Sequence, residues 1–488
     1  MNYIKITTLA LSLFVLVACD KNFLEKSPPD RLPEAGFINS ADRLKLAVNG
    51  VYQQLQVSDL YGDYLPKFLG VPSGEVLLSN TQPLAINNFS FDASDTYMLN
   101  IYAAFYQGIK RANTVIIEGP GVEMDERLKA RYIAEAKFLR AFYYWNLTNM
   151  WGDVILIKTP VAHPDDVLIA KSPQADIYAF IVEDLEAAIA DLPRVTEYGT
   201  NDIGRATKGA AQALLGKVYL YMEDYGNAFE YFEDVIESGD YDLMDEFDHV
   251  WNRNYENNKE SIFEVQFADI GGSGTSTRNQ SHLPGVNGGT GSHVATQLIV
   301  DAFEPGDPRL GYSIFREGDV FAPELSNSNI NLDTYKATWS ATGYNIRKGM
   351  VPILYLQGGG ANYPVIRYAD VLLMYAEAAN ELDMLDEARD AVNRVRQRPS
   401  VNMPPLTEAD TGNKTAMFEA IVKERQVELA FENHRFSDLR RWGLAEQELS
   451  SLGYREKHRY FPLPQLEVDI NPQLKQNLDW ESDKGDED

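Results

Sequence analysis

Cysteine is nearly missing: Cys19 is the only one in 488 residues, so no disulfide framework can form within the chain. Histidine is scarce too. The six, His163, His249, His282, His293, His434 and His458, fall in no His-Glu-x-x-His or other short metal spacing. No Gly-x-Ser-x-Gly elbow occurs, so a serine nucleophile has no support. The glycine-rich stretch from Gly285 to Gly291 lacks Gly-Lys-Ser/Thr and is not a phosphate cradle. Positive charge is in deficit, with 44 Lys and Arg against 72 Asp and Glu, a net charge of -28. That excess of acid excludes nucleic acid, whose phosphates need a basic footprint, and argues less strongly against sulfated glycans. Among so many carboxylates, no feature selects a pair at glycosidase separation. The apolar run from Ile4 to Val17 falls short of the roughly 20 residues that span a bilayer.

That short run is informative in another way. It has a basic residue, Lys5, near its start and ends in Leu16-Val17-Ala18-Cys19. A charged start, an apolar middle and small residues at the cut make residues 1–18 a secretory signal peptide. The Cys placed directly after Leu-Val-Ala resembles a bacterial lipobox, which implies cleavage before Cys19 and lipidation of its thiol and new amino group. Residues 19–39, polar and carrying Pro28, Pro29 and Pro33, read as a lipidated tether leaving a membrane.

Beyond the tether the period is helical. Ser40 caps a run through Leu44, Val48, Val51 and Leu55, and residues 58–96 read as loops and turns. Helices follow over 97–117 and 126–150, the second apolar nearly all round and therefore buried. Ser172-Pro173 opens a helix, Ser172 as its cap and Pro173 in its first turn, that ends at Leu192-Pro193. Leu215, Gly216, Tyr219, Ala228 and Phe232 fall at the spacing of a tetratricopeptide unit, a helix–turn–helix of about 34 residues. Its small residues let the helices approach, and Tyr219 and Phe232 fill the space between neighbouring pairs. A weaker copy lies at Ala376, Ala388 and Val392, and a further pair is split by 152–171. Asn413 to Phe431 supplies one more helix, and Tyr460 to Trp480 packs as extended chain before a charged tail.

Residues 268–362 differ in texture, being rich in Gly, Ser, Asn and Thr with interspersed aromatics. A long irregular segment is usually functional or disordered, and the interspersed aromatics favour an ordered, functional one. Two clusters suit a sugar, whose apolar ring faces and hydroxyl rim call for flat aromatic faces and hydrogen-bonding side chains. One joins Tyr61, Tyr64 and Phe68 with Tyr97 and Asn100; the other joins Tyr335, Trp339, Tyr344, Asn345 and Arg347. The stacking faces are expected at Trp339 and Tyr344 with Tyr97 and Asn100; Arg347 bonds hydroxyls, and Tyr61 and Tyr64 stand in reserve.

Blocks along the whole length resemble the SusD/RagB family of outer-membrane lipoproteins that bind glycans at the cell surface. They are Cys19 with Phe23-Leu24-Glu25 and Pro28, Arg131 through Gly152, and Gly204-Arg205-Ala206-Thr207 with Ala210-Ala211 and Ala213-Leu214-Leu215. Arg367-Tyr368-Ala369-Asp370, Tyr375-Ala376-Glu377-Ala378 and Asn393-Arg394-Val395-Arg396 follow. Glu424-Arg425, Glu428-Leu429, Glu432, Arg435-Phe436 and Asp438-Leu439-Arg440-Arg441 come next in order. Pro462-Leu463-Pro464, Glu467, Asn471-Pro472 and Gln476-Asn477 close the match. Val154-Ile155-Leu156 stands where the family often has a proline, which touches only a connection. These blocks are scaffold: Glu424, Arg425, Glu428 and Arg435 fall at helical neighbour spacings and, with Arg440 and Arg441, suit a buried charge network.

The resemblance implies a mainly α fold, a tetratricopeptide-like helical-pair scaffold of SusD type with a large irregular loop-rich lobe. Residues 40–267 would form the N-terminal helical region, 268–362 the ligand-facing lobe, and 363–488 the C-terminal pairs and closing segment, packed into a single fold. It implies a surface-exposed lipoprotein, anchored in the outer membrane, that holds a neutral oligosaccharide and closes as a lid over a SusC-type TonB-dependent transporter. No cofactor and no catalysis are required. Two other classes compete: a tetratricopeptide-type adaptor that binds only proteins, and a surface glycoside hydrolase. An adaptor has no use for the aromatic-rich lobe and normally has consecutive repeats; an enzyme would turn sugar over.

Overall fold

The computed structural model describes residues 36, 38–161, 163–268, 281–287, 289–320, 334–350 and 360–481. The signal peptide, Cys19, most of the tether, the Gly271–Gly274 stretch and the charged tail lie outside these residues. Helix dominates. Helix α1, Ala41–Gln54, begins where the Ser40 hydroxyl accepts from the Arg43 amide at 3.4 Å. It buries Leu44, Val48 and Val51 against α3, Thr96–Glu118. Helix α2, Tyr64–Gly70, forms inside the stretch expected as loops and turns. Helix α4, Glu126–Trp151, is buried nearly all round, as its apolar surface requires.

Three antiparallel helical pairs build the scaffold. Helix α4 packs on α5, Gln174–Asp191; α6, Lys208–Tyr221, packs on α7, Tyr225–Glu237; α9, Tyr368–Glu381, packs on α10, Leu385–Arg396. Helix α8 is the short Gln297–Ala302 of the middle region. Pairs far apart in sequence are neighbours in space: α7 lies against α9, with the Phe229 and Tyr375 rings stacked at 4.6 Å. Helix α11, Lys414–Glu428, covers α9 and α10, and α12, Arg435–Arg441, follows. Within the α6–α7 pair, a Cβ at Gly216 would sit 2.7 Å from the Phe232 ring. Tyr219 stacks on Tyr231 at 5.7 Å. Phe232 and Tyr219 therefore fill their own pair rather than the gap to the next one, because the missing Cβ makes room inside the pair. Ser172 is not the cap of α5 either. Its amide bonds the Val154 carbonyl, and the Asp153 carboxylate receives the Gln174 amide at 2.9 Å.

Among the described residues strand is confined to three two-stranded antiparallel ladders: β1 (Val76–Leu78) with β3 (His293–Ala295), β2 (Ser261–Val265) with β6 (Tyr363–Arg367), and β4 (Ile314–Phe315) with β5 (Asn345–Ile346). The closing segment is not purely extended, since short helices form at Gln465–Ile470 and Leu478–Glu481. One hydrophobic core joins Leu44, Phe142, Ile314, Leu372 and Phe461.

A charge network sits inside this core. Glu428 accepts from Arg309, Arg367 and Arg398 at 2.8 to 3.0 Å, all three guanidiniums being buried. Glu424 accepts from Arg309 at 2.6 Å and from Arg396 at 2.9 Å. A second group centres on Arg425, which binds Asp370 and Asp438 at 2.9 Å. Arg441 joins it through Asp438 and Glu377. Arg440 and Arg435 stay out of these networks: Arg440 donates to the carbonyls of Asn149 and Arg459, and Arg435 to that of Val422.

Candidate functional site

The irregular lobe is mounted on the scaffold through β3. Asn345, buried, accepts the Tyr335 hydroxyl at 2.8 Å and donates to the His282 carbonyl at 2.9 Å. Tyr335 is fully buried and stacks on Phe315 at 5.7 Å. These two members of the expected cluster are therefore foundation. Trp339 stands on them, half-buried, edge-on to Tyr335 with centroids 5.6 Å apart and planes at 80°. The tight turn 337–344 that presents it is closed by the Ser340 hydroxyl, which donates to the Tyr344 carbonyl at 2.6 Å, and by the Thr342 hydroxyl, which accepts the Tyr344 amide. Thr342 also donates to the Ala295 carbonyl of β3 at 2.6 Å.

Tyr344 is half-buried, its hydroxyl donating to Gln297 Oε1 at 2.9 Å. Arg347 is half-buried too. It donates to the Gly311 carbonyl at 2.9 Å, and its guanidinium lies 5.4 Å from the Phe315 ring, so part of its donor capacity is committed. Gln297 is a polar member that spacing did not reveal, because 47 residues separate it from Tyr344.

The other cluster comes from α2 and α3. Tyr64 and Tyr97 are half-buried and lean together, with centroids 4.7 Å apart at 49°. Lys67 lies 4.7 Å over the Tyr64 ring and bonds Asp63 at 2.8 Å. Burial, with Asp63 next, pushes the Tyr64 hydroxyl above its ordinary pKa, so it remains a donor at neutral pH. Asn100, one turn into α3, is exposed. Tyr61 is different. It is only 4% exposed, sandwiched by Phe142 at 6.1 Å and Tyr363 at 5.2 Å, so it has no open face to stack a sugar. Its apolar neighbours on α4 and β6 claim both sides of the ring.

Strand β3 lies between the two groups, its Ala295 carbonyl holding Thr342 and its His293 facing Lys67. Lys67 faces His293, whose pKa burial and then that ammonium push down to about 3. Below the surface Tyr61, Asp63, Val76, His293 and Ile346 line one small cavity of about 50 Å³. Among the described residues no group of three His, Cys, Asp or Glu is placed to hold a metal ion. What this region offers is a set of half-open rings, braced from beneath, with amide and hydroxyl groups between them. That arrangement stacks and hydrogen-bonds.

Comparison with known proteins places this geometry in context. A family model described as the SusD family matches residues 259–459, and another, described as starch-binding associating with outer membrane, matches residues 22–220. SusD-like protein P2 of Formosa agariphila is 28% identical, the alignment covering 98% of this chain and 99% of that protein. The crystal structure of a SusD superfamily protein from Bacteroides vulgatus superposes with a TM-score of 0.77 at 28% identity, over 90% of this chain and 99% of the other. A laminarin-binding SusD-like protein superposes with a TM-score of 0.75 at 27% identity, over 90% and 99%.

Proposed function

That the chain belongs to the SusD/RagB family is the premise from which we infer its function: it is an outer-membrane-associated protein that binds a neutral oligosaccharide without cleaving it. Laminarin binding by one structural relative and the starch-binding description of the N-terminal match support a glycan as ligand. The observation that carries the reading is Trp339, held half-open on a fully buried Tyr335. A ring fixed in this way is pre-organised, so little ordering entropy is lost when a sugar stacks on it. Trp339 and Tyr344 supply one face of the site, Tyr64, Tyr97 and Asn100 the other, and Arg347 its remaining hydroxyl contacts.

In the finer reading, lipidated Cys19 anchors the protein on the cell surface. The helical pairs dock a SusC-type TonB-dependent transporter, and the lobe holds sugar over its barrel as a lid. The acidic surface, net -28, disfavours polyanionic glycans as cargo.

Retardation in native gels cast with starch or laminarin tests the site. The wild type should be slowed by at least one of the two. Trp339→Ala should weaken that binding about fivefold or more, corresponding to roughly 1 kcal/mol of stacking, with its melting temperature nearly unchanged. Intact binding accompanied by a large loss of stability would make Trp339 a core residue and remove it from the site.

A further inference from the structure

We propose that the groove bounded by α1, the turn 201–205 and β2 is a second, shallow site for a neutral pyranose. It is an open concavity of about 270 Å³. That is near the lower end of the roughly 300–1,000 Å³ of small-molecule sites, which suits one or two sugar rings rather than a chain. Its residues come from elements that carry none of the aromatic platform around Trp339.

Five carboxamides line it: Asn49, Gln53, Gln56, Asn201 and Gln266. A carboxamide presents a donor and an acceptor side by side, which matches a pair of vicinal hydroxyls. Three of the five are committed to the walls. Gln56 donates to the Gln266 backbone carbonyl, the Gln266 side chain exchanges hydrogen bonds with Asn257 and accepts from Asn362, and Asn49 accepts from Arg205. Gln53 and Asn201 are exposed, and among the described residues their side chains make no hydrogen bond. The groove thus combines braced walls with unspent polar groups at its mouth.

Apolar surface lies beside them. Ile203 is 57% exposed, and Tyr52 is half-buried with its hydroxyl accepting the Ala206 amide at 2.8 Å. A pyranose has this same pairing of an apolar face and a hydroxyl rim.

Charge decides against other ligands. Arg205 is paired with the Glu135 and Asp202 carboxylates and also donates to Asn49, each at 2.8 Å, so its charge is already balanced and draws an anion only weakly. Glu264 is buried and accepts from the Asn257 amide and Asn362, so it attracts no cation.

The test reads the groove directly. The intact protein is labelled at its isoleucine δ1 methyls, and the Ile203 signal is assigned by its loss in Ile203→Val. D-glucose, D-galactose, D-mannose and D-xylose are then titrated separately. At least one should shift the Ile203 methyl saturably. Gln53→Ala combined with Asn201→Ala should weaken that response about fivefold, the loss expected for one or two hydrogen bonds, while Trp339→Ala leaves it unchanged. If none of the four sugars moves Ile203, or if the double variant responds like the wild type, the proposal fails. Because the gel assay reads the aromatic platform and the methyl reads the groove, failure of one leaves the other standing.

Discussion

At the residue scale, the buried ions set both stability and its dependence on pH. Burial opposes ionisation of Glu428, yet Arg398, Arg367 and Arg309 outweigh it and hold this carboxyl well below the usual carboxylate range. A carboxylate depressed in this way stabilises the fold at pH values above its unfolded pKa of about 4.3, and that stability drains away as pH falls toward the folded value. Replacing it leaves three buried guanidiniums short of a partner. Glu428→Gln should therefore lower stability by about 3–5 kcal/mol at pH 7, read from denaturant midpoints; a loss below 1 kcal/mol would show that the arginines re-pair.

Glu75 runs the other way. Burial pushes it from 4.5 up to about 7, against the opposing pull of Arg435 and Gln426. The folded state then holds a proton that the unfolded state has released, so stability falls as pH rises from 4.5 to about 7. Glu75→Gln should flatten that slope, raising the melting temperature at pH 8 and leaving it nearly unchanged at pH 4. An equal gain at both pH values would mean that packing, not titration, is responsible.

Sequence reached part of this scale only. Glu424, Arg425 and Glu428 sit on one helix at neighbour spacing, and their joint burial could be read from it. Their partners Arg309, Arg367 and Arg398 come from distant segments, and no local period announces them. Tyr61 was misread for a similar reason: its loop context suggested exposure, whereas Phe142 and Tyr363, both remote in sequence, enclose it.

At the element scale, helix spacing within a pair depends on missing side-chain atoms. The Cβ of Gly216→Ala would meet Phe232 at 2.7 Å, and the ring has core on its other sides. Overpacking of that kind costs about 1–3 kcal/mol. The urea midpoint should fall accordingly, while Gly226→Ala, whose nearest neighbour is 4.0 Å away, should not destabilise. Equal midpoints for both variants would remove close approach as the reason for Gly216. The small residues at tetratricopeptide spacing made this pair legible, as the apolar pattern did for α1, α3, α4 and α11, with the Ser40 cap adding to it at α1. Where a turn competes with a cap the signal failed: Ser172 looked like a helix cap, but a bridge to Val154 claims its backbone.

At the scale of the whole molecule, the helical pairs provide a rigid frame and the small ladders fasten an irregular lobe to it. The frame was legible because it repeats. The lobe was legible only as a change in texture, since its order comes from single long-range bonds such as Thr342 to Ala295 and Tyr344 to Gln297. The pairs separated in sequence by the lobe nevertheless stack directly in space. In the proposed reading this continuous scaffold faces the transporter and the lobe faces the ligand.

The most direct test of the proposed function is calorimetric titration of the purified protein with neutral oligosaccharides cut from starch and laminarin, followed by chromatography of the recovered sugar. Stacking plus a few hydroxyl bonds on an open face supports about −4 to −8 kcal/mol, a dissociation constant between millimolar and micromolar. The account predicts saturable binding in that range by at least one of the two series, with every sugar recovered at its original length. No saturable heat with either, or the appearance of shortened products, would contradict it.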